Sequence, residues 1–388
     1  LLKYKADLSK YQLTATQVQY FYMRSFFPNE KPFSVATKAL EFFETRLTYN
    51  WTKHSKKIQA MLALTLHRKN RTKEAQDILK SLLQTSVYNK ELGRYHKSNT
   101  QSWWWQDAPI EQQALLIEAF LDINQDVKTA DELRTWLLKN KQTNRWESTK
   151  ATAEACYALL LQGSNWLQAD PQVTIQVGKE TVSGSNPKTI AGIGYIKESF
   201  ETEAIKPDMG NIRVSVSSLK NEPATSSWGA VYWQYFEEMD KVTKATTPLQ
   251  LNKKLFVQRN SNTGPILEPV SNNGSVKIGD RVVVRIELKV DRDMEFVHMK
   301  DLRAAGFEPV NVLSQYKWQG GIGYYESTRD AATHFFIDIL RKGTYVFEYT
   351  MFASQAGEFS NGISSIESMY APEFRANSDG SRIGILKK

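Results

Sequence analysis

Apolar residues recur at helical spacing through the first 163 positions and at alternate positions after them. Thr14–Phe27 and Ser34–Asn50 carry aromatic and aliphatic residues every three or four positions. Lys53–Lys69 places Ile58, Met61, Leu62, Leu64 and Leu66 in a helical pattern, and Thr72–Ser86 does the same with Ile78, Leu79, Leu82 and Leu83. A stretch without that period, Asn89–Gln106, separates these from three further helices, predicted over Ala108–Ile123, Thr129–Lys139 and Ser148–Gln162. In the first of the three, Ile110, Ala114, Ile117 and Leu121 form one stripe, which Leu116 and Phe120 widen. Asp107 before Pro109 and Ser148 before Thr149 are start signals, and Gly163 is a stop signal. Broad apolar faces joined by short connections predict helical hairpins stacked side by side. The lead-in Arg94-Tyr95-His96 and Trp103–Asp107 is echoed by Arg145-Trp146-Glu147-Ser148, each before an alanine-containing helix, as repeated units would show.

Beyond Gly163 the period falls to two. Val173–Val177 and Ile212–Val216 alternate, and Trp228–Phe236 reads as an aromatic strand. Asp240–Thr247, polar and followed by Pro248, reads as a linker. From Leu249 a second β unit begins. Val282, Val284, Ile286 and Leu288 share one face, as do Phe335, Ile337 and Ile339, and Tyr345, Phe347 and Tyr349. Turn signals about every ten residues complete the pattern of a β-sandwich. The predicted fold class is therefore multidomain α and β: an α/α toroid segment of helical hairpins followed by antiparallel β-sandwich modules. Its expected parts are 1–163, 164–245 and 246–388, consistent with about 150 residues per domain over 388 residues.

Composition narrows the function. Hydrophobic residues at 41% and charged residues at 24% fill ordinary cores and exclude a disordered chain. No apolar run approaches the ~18 residues of a membrane span. Fifty Lys+Arg against 42 Asp+Glu leave +8, mixed with acids throughout, which does not point to nucleic acid. One cysteine, Cys156, excludes an intramolecular disulfide and a multi-thiolate zinc site. It suits a cytosolic or a Gram-negative envelope protein. The chain begins Leu1-Leu2-Lys3 and reads as a piece of something longer.

The C-terminal unit contains Lys300-Asp301-Leu302-Arg303-Ala304-Ala305-Gly306-Phe307-Glu308-Pro309, then Tyr324–Asp330, then Phe336–Tyr345 with Leu340-Arg341-Lys342-Gly343-Thr344-Tyr345. It closes with Ala356-Gly357-Glu358-Phe359 and Met369-Tyr370-Ala371-Pro372-Glu373. This succession resembles the C-terminal domain of bacterial alpha-2-macroglobulin-like proteins, and Arg145–Ala153 resembles the last inner helix of that family's thioester-containing toroid. Gly306 and Gly343 fall where tight turns are expected. The resemblance implies a fragment of an envelope protease trap, periplasmic or outer-surface, with a lipid anchor through a missing N-terminus as one option. Its partners would be proteases, through the full-length protein, with an envelope protein as a further candidate. It implies no catalysis and no cofactor in this chain. The family's thioester joins a Cys to a Gln in a Cys-Gly/Leu-Glu-Gln motif, but Tyr157 and Ala158 follow Cys156. The motif and the protease-cleaved bait region are expected upstream of residue 1, unless the protein belongs to the branch without a thioester. Helix phase places Cys156 on an inner stripe with Thr152, Ala155 and Leu159, a structural core position.

Three further features are candidates. Trp103, Trp104 and Trp105 fit a packed plug at the toroid's end, the expected role, or a binding platform that stacks on a sugar. Asp107, Glu111 and Glu147 lie near inner helix ends, where toroid glycosidases keep paired carboxylates. A polysaccharide lyase or hydrolase using Trp103–Trp105 with Glu111 or Glu147 is the rival reading, and an envelope interaction scaffold without a thioester is a third. His54, His67, His96, His298 and His334 offer no i, i+4 pair, so no metal site is expected. Gly320-Gly321-Ile322-Gly323 suits a hairpin turn, and the paired basic residues Lys253-Lys254, Arg341-Lys342 and Lys387-Lys388 are expected in solvent.

Overall fold

The structure, a computed structural model, describes residues 7–98, 105, 107–161, 172–183, 197–217, 229, 231–270 and 276–387. The chain forms two compact units. One comprises Leu1–Lys139 with Trp146–Gly229, the other Asn140–Arg145 with Ala230–Lys388.

The first unit is helical at its start. Its α-helices are α1 (Ala15–Arg24), α2 (Thr37–Thr45), α3 (Lys56–Arg68), α4 (Thr72–Gln84), α5 (Pro109–Asn124), α6 (Val127–Thr143, whose last turn belongs to the second unit) and α7 (Thr149–Leu160). Thr14 caps α1 in a reciprocal box, accepting from the Gln17 N–H while the Gln17 side chain accepts from the Thr14 N–H at 2.9 Å. Helix α1 stops at Arg24, short of the expected Phe27, because Pro28 holds the residue before it out of the helical region. Helix α6 runs past Lys139 because Lys139, Lys141 and Gln142 are good helix formers.

Helices α1, α3, α5 and α7 pack in that order into one layer, and α4 lies against α3 and α5. The layer is parallel, since like ends meet. Arg68 at the end of α3 reaches Glu118 and Asp122 near the end of α5, and Lys150 at the start of α7 faces Glu111 at the start of α5. A row of helices backed by a second helix is the layered packing expected of an α/α toroid segment. Helix α5 is its centre. Every residue from Ile110 to Phe120 is buried, so the expected single stripe became burial all round. Gln113 satisfies its buried amide nitrogen by donating to the Arg94 and Leu133 carbonyls at 2.7 and 3.1 Å. Arg134 on α6, fully buried, donates to the Ala158 and Leu161 carbonyls at the end of α7, where a cation complements the helix dipole. A short hairpin, β1 (Val87–Asn89) with β2 (Gly93–Tyr95), lies in the stretch expected to lack helix. Later in this unit β3 (Gln172–Val177), β4 (Glu180–Ser183) and β5 (Ile212–Ser217) form a small antiparallel sheet in the order β4-β3-β5.

The second unit is a β-sandwich. Its strands are β6 (Leu249–Ser261), β7 (Gly264–Pro269), β8 (Val276–Lys277), β9 (Arg281–Val290), β10 (Met294–Leu302), β11 (Phe307–Pro309), β12 (Gln315–Gln319), β13 (Ile322–Thr328) and β14 (Ala332–Leu340). They continue with β15 (Gly343–Ala353), β16 (Gly357–Asn361), β17 (Ser364–Ser368), β18 (Ala371–Asn377) and β19 (Ser381–Leu386). One sheet runs β12-β13-β14-β10-β17-β18, the facing sheet β11-β15-β9-β6-β7, and a third, β16-β19-β8, adds a parallel pair between β19 and β8. The alternation read from the sequence sets the core. Val282, Val284, Ile286 and Leu288 are buried opposite Val297, Met299, Phe335, Ile337 and Ile366. Ile339, expected with them, lies near the strand end and is exposed.

Three expectations need correction here. Val231–Glu238 forms no strand, and Val231, Tyr232, Trp233, Tyr235 and Phe236 are exposed; β propensity alone does not make a strand (Trp228 and Ala230 lie outside the described residues). Asp240–Thr247 is not a free linker. Asp240 accepts from Ser360 at 3.0 Å and pairs with Arg382 at 3.1 Å, Ala245 bridges to Asn377, and Gly380 donates to the Val242 carbonyl. Gly306 is required by packing and not by a turn conformation: a Cβ there would sit 2.6 Å from the Phe359 ring, while its φ is ordinary.

Candidate functional site

The amino ends of α3, α5 and α7 bring together Lys57, Glu111, Lys150 and Glu154. Ser148 caps α7 as expected, its hydroxyl accepting from the Ala151 N–H at 3.0 Å. The N-cap of α5 is Ala108 and not Asp107, with Pro109 opening the helix and Glu111 in the first turn. On α3, Lys57 is 1% exposed. Its ammonium donates to the Trp105 carbonyl at 3.2 Å and lies 5.5 Å from the centre of the Trp105 ring. Glu111, largely buried, stands 3.9 Å from the Lys150 ammonium, which bonds Glu154 at 3.1 Å one turn on. Burial pushes the Lys57 ammonium below its ordinary pKa and Lys150 adds repulsion, while Glu111 and Glu154 partly offset both. Farther along the layer, Arg68 bonds Glu118 at 2.6 Å and lies over the Phe26 ring. Burial raises the Glu118 carboxyl against the lowering effect of Arg68, and raises the Tyr22 phenol.

This arrangement places each sequence candidate. Trp103 and Trp104 lie outside the described residues. Trp105 is exposed and covers Lys57. Glu111 faces a lysine, whereas Glu147 is exposed. Cys156 is exposed, against the expected inner position. The buried stripe of α7 is Ala151, Ala155 and Ala158, and Cys156 follows Ala155 by about 100° around the helix, which turns it out of that stripe.

In the sandwich, two features escaped the sequence reading. Asp301, fully buried, accepts from Ser364 at 2.6 Å and from Tyr349, and pairs with Lys253 at 2.8 Å. Lys253 also donates to the Leu302 and Gly362 carbonyls at 2.6 and 2.8 Å. Burial and the Asp301 charge hold the Tyr349 phenol well above its ordinary range. The signal was present in the alternation: Asp301 continues the inward series Val297, Met299, and Lys253 sits between Leu251 and Leu255. Arg303, two positions on, donates to the Arg329 and Asp330 carbonyls. One quoted motif thus holds the turn of the next.

The second feature is a histidine pair across β10 and β14. His298 Nε2 and His334 Nδ1 lie 2.9 Å apart. The ring planes differ by 7° with centroids at 5.2 Å. Face-stacked rings with nitrogens this close would violate van der Waals contact, so the rings lie side by side, one nitrogen donating to the other. Phe336 stacks on His298 at 4.8 Å. No local spacing announces this pair; only the strand register brings it together.

Residues 249–373 match the family model of the bacterial alpha-2-macroglobulin MG10 domain. Trypsin-activated alpha-2-macroglobulin from Escherichia coli aligns with 96% of this chain and 24% of its own at 14% identity and a TM-score of 0.40. The Escherichia coli protein activated by porcine elastase aligns with 98% of this chain and 31% of its own at 14% identity, TM-score 0.37. Salmonella alpha-2-macroglobulin reacted with methylamine aligns with 98% and 22% at 15% identity, TM-score 0.31. A curated protein of Dictyostelium discoideum, Circularly permutated Ras protein 2, is 26% identical over 110 residues, 28% of this chain and 3% of that protein. This chain therefore spans well under two thirds of each of these proteins. The sandwich strands from β6 to the start of β18, which carry the C-terminal motifs quoted from the sequence, match the bacterial alpha-2-macroglobulin MG10 domain.

Proposed function

We propose that this chain is the C-terminal part of an alpha-2-macroglobulin-like protease inhibitor of the bacterial cell envelope. In this reading the intact protein is a trap: a protease cuts a bait region, the molecule rearranges, and the protease is caged or tethered. Residues 1–163 supply the second part of the toroid, 164–245 a connecting β module and 246–388 the terminal sandwich. The chain's own role is structural and interactive, without catalysis. The observation that carries the reading is the MG10 match over 249–373. The helical hairpins before it agree. The lysine beside Glu111 and the exposure of Glu147 lend no support to an acid–base pair. Cys156, followed by Tyr157 and Ala158, is not assigned a thioester.

The test uses the full-length protein. Incubation with trypsin and with elastase is expected to change its electrophoretic mobility and to shield the captured protease from large substrates while small ones are still cleaved. Unchanged mobility with full activity toward large substrates would remove the trap.

A further inference from the structure

Strand β12 ends the six-stranded sheet, so one side of its backbone has no strand partner among the described residues. Proteins usually protect such an edge. The other three outer strands of the two large sheets carry proline: Pro372 in β18, Pro309 in β11, and Pro265 and Pro269 in β7. Strand β12, Gln315-Tyr316-Lys317-Trp318-Gln319, has none and pairs in unbroken register with β13.

The hairpin geometry says which groups are open. Gly320 and Gly321 both have positive φ, 62° and 83°, and make a two-residue turn. Gln319 and Ile322 therefore form the hydrogen-bonded pair beside the turn, as do Lys317 with Tyr324 and Gln315 with Glu326. The N–H and C=O groups of Tyr316 and Trp318 point outward to the open edge. Their side chains are 77% and 79% exposed. The Trp318 ring lies against Gly323, where a Cβ would come within 2.5 Å of it, so a glycine lets the indole lie down on the sheet.

The inward side chains hold the edge rigid. The Gln319 amide donates to the Glu348 carbonyl and accepts from the Glu348 N–H, both at 3.3 Å. Lys317 bonds buried Glu326 at 2.6 Å. A cavity of about 230 Å³ lies here, lined among others by Lys317, Glu326, Asn311, Glu348 and Arg281. Lys317 answers Glu326, and Arg285, outside the cavity lining, answers Glu348 at 2.5 Å, so both lining carboxylates are taken by other cations and the exposed Arg281 is in none of these ion pairs.

We propose that β12 is a docking edge that takes an extended segment of a partner polypeptide as an added strand, with an apolar–acidic–apolar pattern. The main chain of Tyr316 and Trp318 supplies the hydrogen bonds. Side chains directly opposite those two share their face, so apolar groups fit there, and the residue opposite Lys317 faces the cavity, where a carboxylate meets Lys317 and Arg281. A second copy of this chain fits less well, because pairing centred on Lys317 would set two lysines directly opposite each other.

The test titrates the chain into two fluorescein-labelled peptides, STVEVTS and STVKVTS, followed by anisotropy. The acidic peptide is expected to bind about tenfold more tightly than the basic one. Tyr316→Pro removes an outward N–H without touching the β13 ladder and should abolish binding, whereas Tyr316→Ala should only weaken it; circular dichroism checks that both variants fold. Equal binding of the two peptides, unchanged binding by folded Tyr316→Pro, or no binding up to the solubility limit of the chain would overturn the proposal. So would a dimer of the chain alone that Tyr316→Pro dissolves, since the edge would then belong to a second copy.

Discussion

Asp301 and Cys156 show how single residues depart from what their neighbours in sequence suggest. Asp301 sits in a strand of buried apolar residues with its charge met by Lys253, itself only 4% exposed at its side chain. Removing one member strands the other. Asp301→Asn is expected to cost about 3–5 kcal/mol in urea unfolding. Asp301→Asn with Lys253→Met should cost much less than the sum of the two single changes, because the double variant leaves no buried charge unpaired. Additive costs would mean the pair does not interact. The alternation made this site legible in principle, since it fixed which face position 301 occupies; only the long-range partner was hidden. Cys156 was misplaced because adjacent positions on a helix differ by about 100°, enough to separate core from surface in an alanine-faced helix. Its thiol is expected to react with a maleimide in the folded chain about as readily as in the unfolded one, and Cys156→Ala should change stability by no more than about 0.5 kcal/mol. A native thiol that reacts only after denaturation would restore the buried placement.

Among elements, the helices from α3 to α7 and the sandwich strands were legible because their periods run over many residues. The histidine pair was not, because it depends on which strands are neighbours. It predicts a pH dependence. Burial lowers both imidazoles from the ordinary 6.5, with mutual repulsion adding to the effect on His334. Lys300 lowers both, Arg329 lowers His334, and Glu367 partly restores His298. The unfolded chain thus binds more protons than the folded one as pH falls below 6.5, so stability present above that value is lost on acidification. The sandwich should melt at progressively lower temperature from about pH 7 to pH 5, and His334→Phe should flatten that slope. An unchanged slope in the variant would assign the acid sensitivity elsewhere.

At the scale of the molecule, the period of apolar positions separated helical from β regions, but a polar segment such as Asp240–Thr247 looks the same whether it spans a gap or is laced to a sheet. Its anchoring through Ser360, Arg382 and Asn377 gives a measurable difference. A fragment of residues 239–388 should unfold at a higher urea concentration than one of residues 249–388; equal midpoints would make the lacing energetically idle. The parallel pairing of Val276 with Ile385 has another consequence. The segment Ser381–Leu386 leaves the ribosome after every other strand of the sandwich, yet it joins β8 near the sandwich's beginning. Closing so long a loop is slow, and the third sheet cannot assemble on a nascent chain that lacks this segment. Until Ser381–Leu386 emerges the earlier strands remain available to a chaperone, and the time allowed for its intervention is set by how long the chain takes to reach that segment.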